Sequence, residues 1–230
     1  MPMYKIETHL HTCHSSPCGK VDAETIVRLY GEAGFSGIVV TDHFFRYTCS
    51  PHCWNIDPKD FFPVFIEGYR RMCQAAKPYG LRIYKGAEVR FDGSSNDYLL
   101  YNYPDELLED AAAVFTMGPE KFYSLCQQCG AVFMQAHPFR NNCTQTAPAW
   151  LDGIEVYNEN PRTDSHNESA LAFADRNPTL IRLSGSDFHR PEDTAQGGII
   201  TDILPENEAA LAALLRRGEY TLHTKKTTCF

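Results

Sequence analysis

A chain of 230 residues, 43% of them hydrophobic, can bury one sizeable core, and this composition excludes a disordered or collagen-like polymer. The net charge of −8 argues against a surface that tracks a phosphate backbone, because such surfaces carry a basic stripe. The nine cysteines, odd in number and scattered, fit a reducing compartment better than a disulfide framework.

The opening stretch MPMYKIETHLH lacks a basic segment followed by a long apolar run, so no signal peptide is read. No window approaches the roughly 18 apolar residues that a membrane span requires. A cytoplasmic location without a membrane partner is the expectation. The predicted elements then alternate along the chain. A strand over Tyr4 to His9 leads to a helix over Asp22 to Ala33, with Asp22 placed to cap it and Gly34 placed to end it. A strand over Gly37 to Thr41 leads to a helix over Asp60 to Ala76. Strands over Leu81 to Val89 and Tyr98 to Tyr101 precede a helix over Glu120 to Cys129 that stops at Gly130. Strands over Ala131 to Ala136 and Gly153 to Tyr157 precede a helix over Ser165 to Arg176, which stops before Pro178. Last come a strand over Leu180 to Leu183 and a helix over Glu206 to Arg217. Strand followed by helix argues for parallel strands with crossover helices. With no repeat and no linker, a single α/β domain over residues 1–230 is expected.

Polar residues recur at one place in this pattern. His9 and His11, Asp42 and His43, Glu88, His137, and Asp187 with His189 each fall at or near the end of a strand-like run. In α/β barrels, that edge is where ligands and chemistry gather. His9 and His11 are two residues apart, so a strand points both to one face, and Asp187 and His189 have the same relation. A lone strand-end histidine is commonly an ordinary core or surface residue, but five such signals in one chain favour a metal centre. Imidazoles mixed with carboxylates suit Zn, Mn or Fe, and a shared carboxylate brings two ions close together.

HLH near the start, TDH after the second strand, GAE after the third, AHP in mid-chain and GSDFH late resemble the PHP family, named for polymerase and histidinol phosphatase domains. The match runs in the family's order from about residue 4 to 203. The resemblance implies a distorted (β/α)7 TIM-like barrel with its metals at the C-terminal strand ends. It also implies phosphoester hydrolysis by metal-activated water. The implied ligands are His9, His11, His43, Glu88, His137, Asp187 and His189. Two stretches depart from the family pattern. Lys20, in SSPCGKVD, stands near a place where many relatives carry Asp or His, and His14 has the wrong spacing to substitute. Asp97, in GSSNDYLLY, stands where relatives carry a histidine and is read as an oxygen ligand. One to three divalent transition-metal ions are therefore expected, with two favoured.

Asp187, His189 and His43 are the candidate catalytic residues: Asp187 as ligand and then proton acceptor, and the two histidines as proton donors to the leaving group. Arg140, Arg190 and Arg46 lie beside motifs and are the candidate phosphate-binding residues. Cys13, His14 and Cys18 are read as part of the loop leaving HLH. The stretch from Phe44 to Trp54, with Cys49, His52 and Cys53, is read either as a substrate lid or as a packed surface loop. CQQC, Cys126 to Cys129, is read as core-facing, and His166 and His223 as solvent-facing. A small phosphorylated substrate is expected, of nucleotide, sugar-phosphate or histidinol-phosphate type, with no extended nucleic-acid surface; the oligomeric state is not assigned. The alternatives are a phosphodiesterase or exonuclease-like hydrolase, a metal-binding module without turnover and, more distantly, an amide hydrolase.

Overall fold

Gly37–Val40 and Val132–Gln135 are buried at every position, the pattern of parallel strands covered on both faces. They belong to one sheet in a computed structural model that describes residues 3–46 and 60–225. In chain order the strands are β1 (Tyr4–Glu7), β2 (Gly37–Val40), β3 (His43–Phe44), β4 (Arg82–Arg90), β5 (Asp97–Tyr101), β6 (Val132–Gln135), β7 (Gly153–Asn158), β8 (Ile181–Gly185), β9 (Gly198–Thr201) and β10 (Thr221–His223). Their order across the sheet is β10-β9-β1-β2-β4-β5-β6-β7-β8, with β3 paired to β4. β8 packs beside β9 and β10, so the sheet forms a nearly closed barrel.

The barrel is distorted in an identifiable way. β1, β2 and β4 run parallel, as do β6, β7 and β8, but β5 is antiparallel to both of its neighbours. Residues 91–96 are too few for a crossover, so the chain turns back on itself there. β9 and β10 are likewise antiparallel. Neither was legible as a strand, because four residues that begin with a glycine of the Gly197-Gly198 pair and three near the end of the chain show no clear period.

The helices are α1 (Ala23–Glu32), α2 (Phe61–Phe65), α3 (Glu67–Ala75), α4 (Glu106–Glu109), α5 (Ala111–Met117), α6 (Pro119–Cys129), α7 (Asn167–Arg176) and α8 (Glu208–Arg217). Asp22 caps α1 as expected, its side chain accepting from the Thr25 N–H. The helix predicted over Asp60 to Ala76 is broken at Ile66. Ser15 causes the break: its hydroxyl donates to Val64 O at 3.3 Å and accepts from Gly68 N–H at 2.8 Å. Those two groups would bond each other in a continuous helix, so a side chain has been spliced into the ladder. Only glycine fits at position 68, where a Cβ would lie 2.1 Å from Asp42 Oδ2.

Ile6, Val39, Leu99, Met134 and Leu183, from strands around the barrel, pack into one apolar cluster with Leu211 and Leu215 of α8. Phenylalanines 44, 61, 65, 115, 122 and 133 form a second core against α2, α5 and α6. Cys126 is buried within it and Cys129 is exposed, both as free thiols. His166 is exposed as expected, but His223 is buried, with its ring edge-on to Phe35. Arg46 and Phe45 belong to the described part of the Phe44–Trp54 stretch; Cys49, His52 and Cys53 lie outside the described residues. Among the described residues no helix is long and apolar enough to cross a membrane.

Candidate metal centre

The ends of β1, β2, β4, β6 and β8 converge, and the strand-end residues read from the sequence meet there. His9 and His11 lie on the chain just past β1, with their Nε2 atoms 3.1 Å apart. Glu88, in β4, is fully buried and reaches four imidazoles: His9 at 3.3 Å, His11 at 3.4 Å, His43 at 2.7 Å and His137 at 3.1 Å. Asp187 Oδ1 lies 3.5 Å from His9 Nε2, 3.3 Å from His11 Nε2 and 3.4 Å from His189 Nδ1. Three groups each offer ligand atoms within 4.8 Å of one another: His9, His11 and Glu88; Glu88, Asp97 and His137; and His11, His43 and His189. Glu88 therefore belongs to two of them.

These donors fit a divalent cation. Glu88 Oε2 and His43 Nδ1 face each other, buried, with no hydrogen bond of acceptable angle on either atom. Buried polar atoms left this way are costly unless something else satisfies them. His137 and Asp187 also hold positive φ values of 28° and 49°, a backbone state that non-glycine residues rarely adopt and that concentrates at functional sites.

The electrostatics are reciprocal. Burial alone would raise the Glu88 and Asp187 carboxyls. The charges of His43 and His9 on Glu88, and of His9 and His189 on Asp187, outweigh it and hold both well below the usual carboxylate range. Burial lowers His11, and the neighbouring His43 and His189 lower it further. For His9 burial is outweighed by Glu155, Asp187 and Glu88, which raise it well above its ordinary value. His137 is raised to about 9 despite burial, by hydrogen bonds to Cys143 and Glu88.

Supporting residues escaped the sequence reading. Glu155 in β7 takes His9 Nδ1 at 3.0 Å and accepts from the His137 backbone N–H, fixing the His9 ring and the main chain that carries His137. Glu7 accepts from the N–H groups of Thr8, His9 and Ser186 and from the Tyr30 hydroxyl, tying the β1 and β8 exits together. Glu155 is a carboxylate between apolar residues of its strand, a signal that could have marked it, whereas Glu7, between Lys5 and Thr8, offers none. Asp42, raised to about 6 chiefly by burial, accepts from Thr12 and from Ser16, whose hydroxyl also accepts from the His43 N–H.

The remaining candidates divide. Arg140 lies at the centre, donating to Asp187 Oδ2 at 2.8 Å and to Asn158 and Ser165, with its Nε buried and unpaired. Arg190 and Arg140 line a pocket of about 250 Å³ beside Asp187 and His189. Arg162, unread in the sequence, lines it too and forks onto buried Asp193. Arg46 is not brought there: its guanidinium pairs with Asp92 and sits over Phe115. Asp97 sits beside His137 but already takes a two-point ion pair from Arg90, at 2.6 Å to each oxygen. Lys20 is exposed, and His14 accepts from the Ala23 N–H at the start of α1. Cys18, also in that loop, is half-buried and contacts the side chains of His43 and His189. Burial opposes its ionisation, but those two imidazoles pull the thiol down to about 6.

Residues 7–218 match the family model described as PHP domain. The chain belongs to the PHP domain family. A search of the curated proteins returns no match. Among solved structures, this PHP chain is similar to a two-domain protein from Bacteroides vulgatus described as containing a predicted PHP-like metal-dependent phosphoesterase. The TM-score is 0.64 at 18% identity, over 97% of this chain and 65% of that one. It is also similar to a lesion-specific endonuclease Q from Pyrococcus furiosus, with a TM-score of 0.67 and 12% identity, over 96% of this chain and 58% of that one. A third is an endonuclease Q complex with a 27-mer duplex carrying an abasic lesion at the active site, with a TM-score of 0.59 and 10% identity, over 94% of this chain and 57% of that one. At these identities the likeness shows the shared fold, that of PHP-like metal-dependent phosphoesterases. The expectation of a small substrate with no nucleic-acid surface is thereby overturned, since the same fold carries duplex DNA in the endonuclease Q complex. Net acidity is a poor guide here, because ions bound in a cleft can supply the local positive charge that a basic stripe otherwise would.

Proposed function

We propose that this PHP domain is a metal-dependent phosphoesterase whose ions are held by His9, His11, Glu88, His137 and Asp187, with His43 and His189 at a further position. The observation that carries the reading is the buried Glu88 carboxylate within reach of four imidazoles, two of its neighbouring donor atoms lacking hydrogen bonds. Zn, Mn and Fe suit this donor set. Such an ion, when bound, polarises a phosphoryl oxygen and makes water a nucleophile near neutral pH.

The chain's own groups do the rest. Arg140, fixed by Asn158 and Asp187, presents its unpaired Nε to an anion, and Arg190 and Arg162 add charge along the same pocket. Asp187 is a ligand first and a proton acceptor second. His43 and His189 either hold an ion or, unengaged, give a proton to the leaving oxygen.

Phosphate release and chain cleavage, measured with the chelated and the metal-reloaded protein over phosphomonoesters, phosphodiesters and DNA duplexes, test this. Hydrolysis restored by metal supports it; metal bound without hydrolysis of any ester overturns it in favour of a binding module. A second reading, hydrolysis of a nucleic-acid phosphodiester, is favoured by the fold shared with endonuclease Q. Cleavage of a lesion-bearing duplex in the same assay decides for it.

A further inference from the structure

Cys18 has a use that the reading above leaves open. The loop carrying it folds back through three backbone hydrogen bonds: Cys13 N–H to Val21 O, Gly19 N–H to Ser16 O and Lys20 N–H to His189 O. Gly19 permits that return, since a Cβ there would lie 2.5 Å from Thr12 O. Cys18 is thus held between two anchored residues, and its thiol reaches the imidazoles of both His43 and His189. It lines the same pocket as Asp187 and His189. His43 and His189, with His11, already offer nitrogens within 4.8 Å of one another. The buried His43 Nδ1 and Glu88 Oε2 beside them face each other at 2.7 Å without a hydrogen bond of acceptable angle. Cys143 differs: its thiol meets one imidazole, that of His137, and donates to Ser95 O at 3.5 Å.

We infer that Cys18 is a thiolate ligand to a divalent cation held by His43 and His189, making this position a mixed sulfur–nitrogen site. The inference rests on the metal-dependent reading and deepens it, because it assigns His43 and His189 to ligation rather than proton donation. Binding forms a metal–sulfur bond and releases the thiol proton to solvent. A soft sulfur donor tilts the position toward zinc, iron or cobalt and away from manganese and magnesium.

The test uses the full chain, stripped with a chelator and reloaded with Co²⁺. The expected result is a thiolate-to-cobalt charge-transfer absorption that is lost in Cys18→Ser, together with one bound ion per chain. The band should survive in Cys13→Ser and Cys143→Ser. Cys18→His, which replaces sulfur by nitrogen, should restore the ion count without the band, separating a lost ligand from a lost fold. Cobalt bound by the native chain without a sulfur band overturns the inference, as does a band that persists in Cys18→Ser or depends on Cys143. If that chain nevertheless hydrolyses a phosphoester with metal, this inference fails alone. A chain that binds no cobalt at all defeats both this inference and the metal-dependent reading. A sulfur band without hydrolysis of any ester leaves the ligand standing and removes the phosphoesterase.

Discussion

The two ends of the barrel strands are built from opposite materials. Along their length Ile6, Val39, Leu99, Met134 and Leu183 meet in a dry cluster, each wholly buried. At the C-terminal edge of β1, β4 and β8 the equally buried residues are His9, His11, Glu88 and Asp187. The first region is complete in itself, because apolar contacts ask for nothing beyond exclusion of water. The second leaves donor atoms unsatisfied, and the proposed cation would complete it. Stability and function are thereby separated within a single set of strands.

That separation can be broken or sharpened by experiment. The largest effect is expected from Glu88→Gln, which removes the carboxylate shared by two ion groups. Metal-dependent hydrolysis should fall about a thousandfold or more, the loss of several kcal/mol of charge stabilisation, while circular dichroism stays native. His9→Ala should likewise lose metal and activity together, and stoichiometric metal with normal turnover in either variant would refute the site. Leu183→Ala should do the reverse, costing about 2–5 kcal/mol in urea unfolding with an unchanged ion count. Glu155→Gln sits between the regions, since it loosens the His9 ring without removing a donor. Its metal affinity, read by chelator competition, should weaken roughly 10–100-fold.

The pH dependence of the metal-free chain separates the regions further. His137 is raised to about 9 from an ordinary 6.5, so its stabilising contribution is full below pH 6.5 and lost as pH climbs through 9. The urea midpoint of the chelated protein should fall across that window, and bound metal should flatten the decline. A midpoint that rises instead would contradict the charge pairing. The smallest effect is expected from Ser15→Ala, which frees the Gly68 N–H to bond Val64 O and partly offsets the lost anchor. Its shift should stay within about 1 kcal/mol.

The sequence made the site more legible than the scaffold. The histidines and carboxylates declared themselves because each sits where an apolar run ends, and spacing of two put His9 with His11 and Asp187 with His189. Glu155 was hidden by lying inside an apolar run, where a charge is easily taken for a face turned to solvent, and Glu7 by standing among the polar residues Lys5 and Thr8. Arg46 was misplaced because nearness in sequence to TDH says nothing of Asp92, the partner that claims it. The broken α2–α3 helix was illegible for a related reason: the interrupting serine comes from 49 residues away in sequence, at the Ser15 to Val64 bond.

The reversed strand β5 has a consequence for how such a site can diversify. Its neighbours deliver their last residues to the metal edge, whereas β5 delivers its first, Asp97, opposite Arg90. The residue at that corner is therefore set by the register of β5 as well as by the turn that precedes it, residues 91–96. All five β5 residues are buried, so a one-residue slip of the strand would turn every one of its side chains to the opposite face. The donor beside His137 is thus tied to the packing of the whole strand, and this corner of the centre changes by substitution at position 97 at far less cost than by a change of loop length.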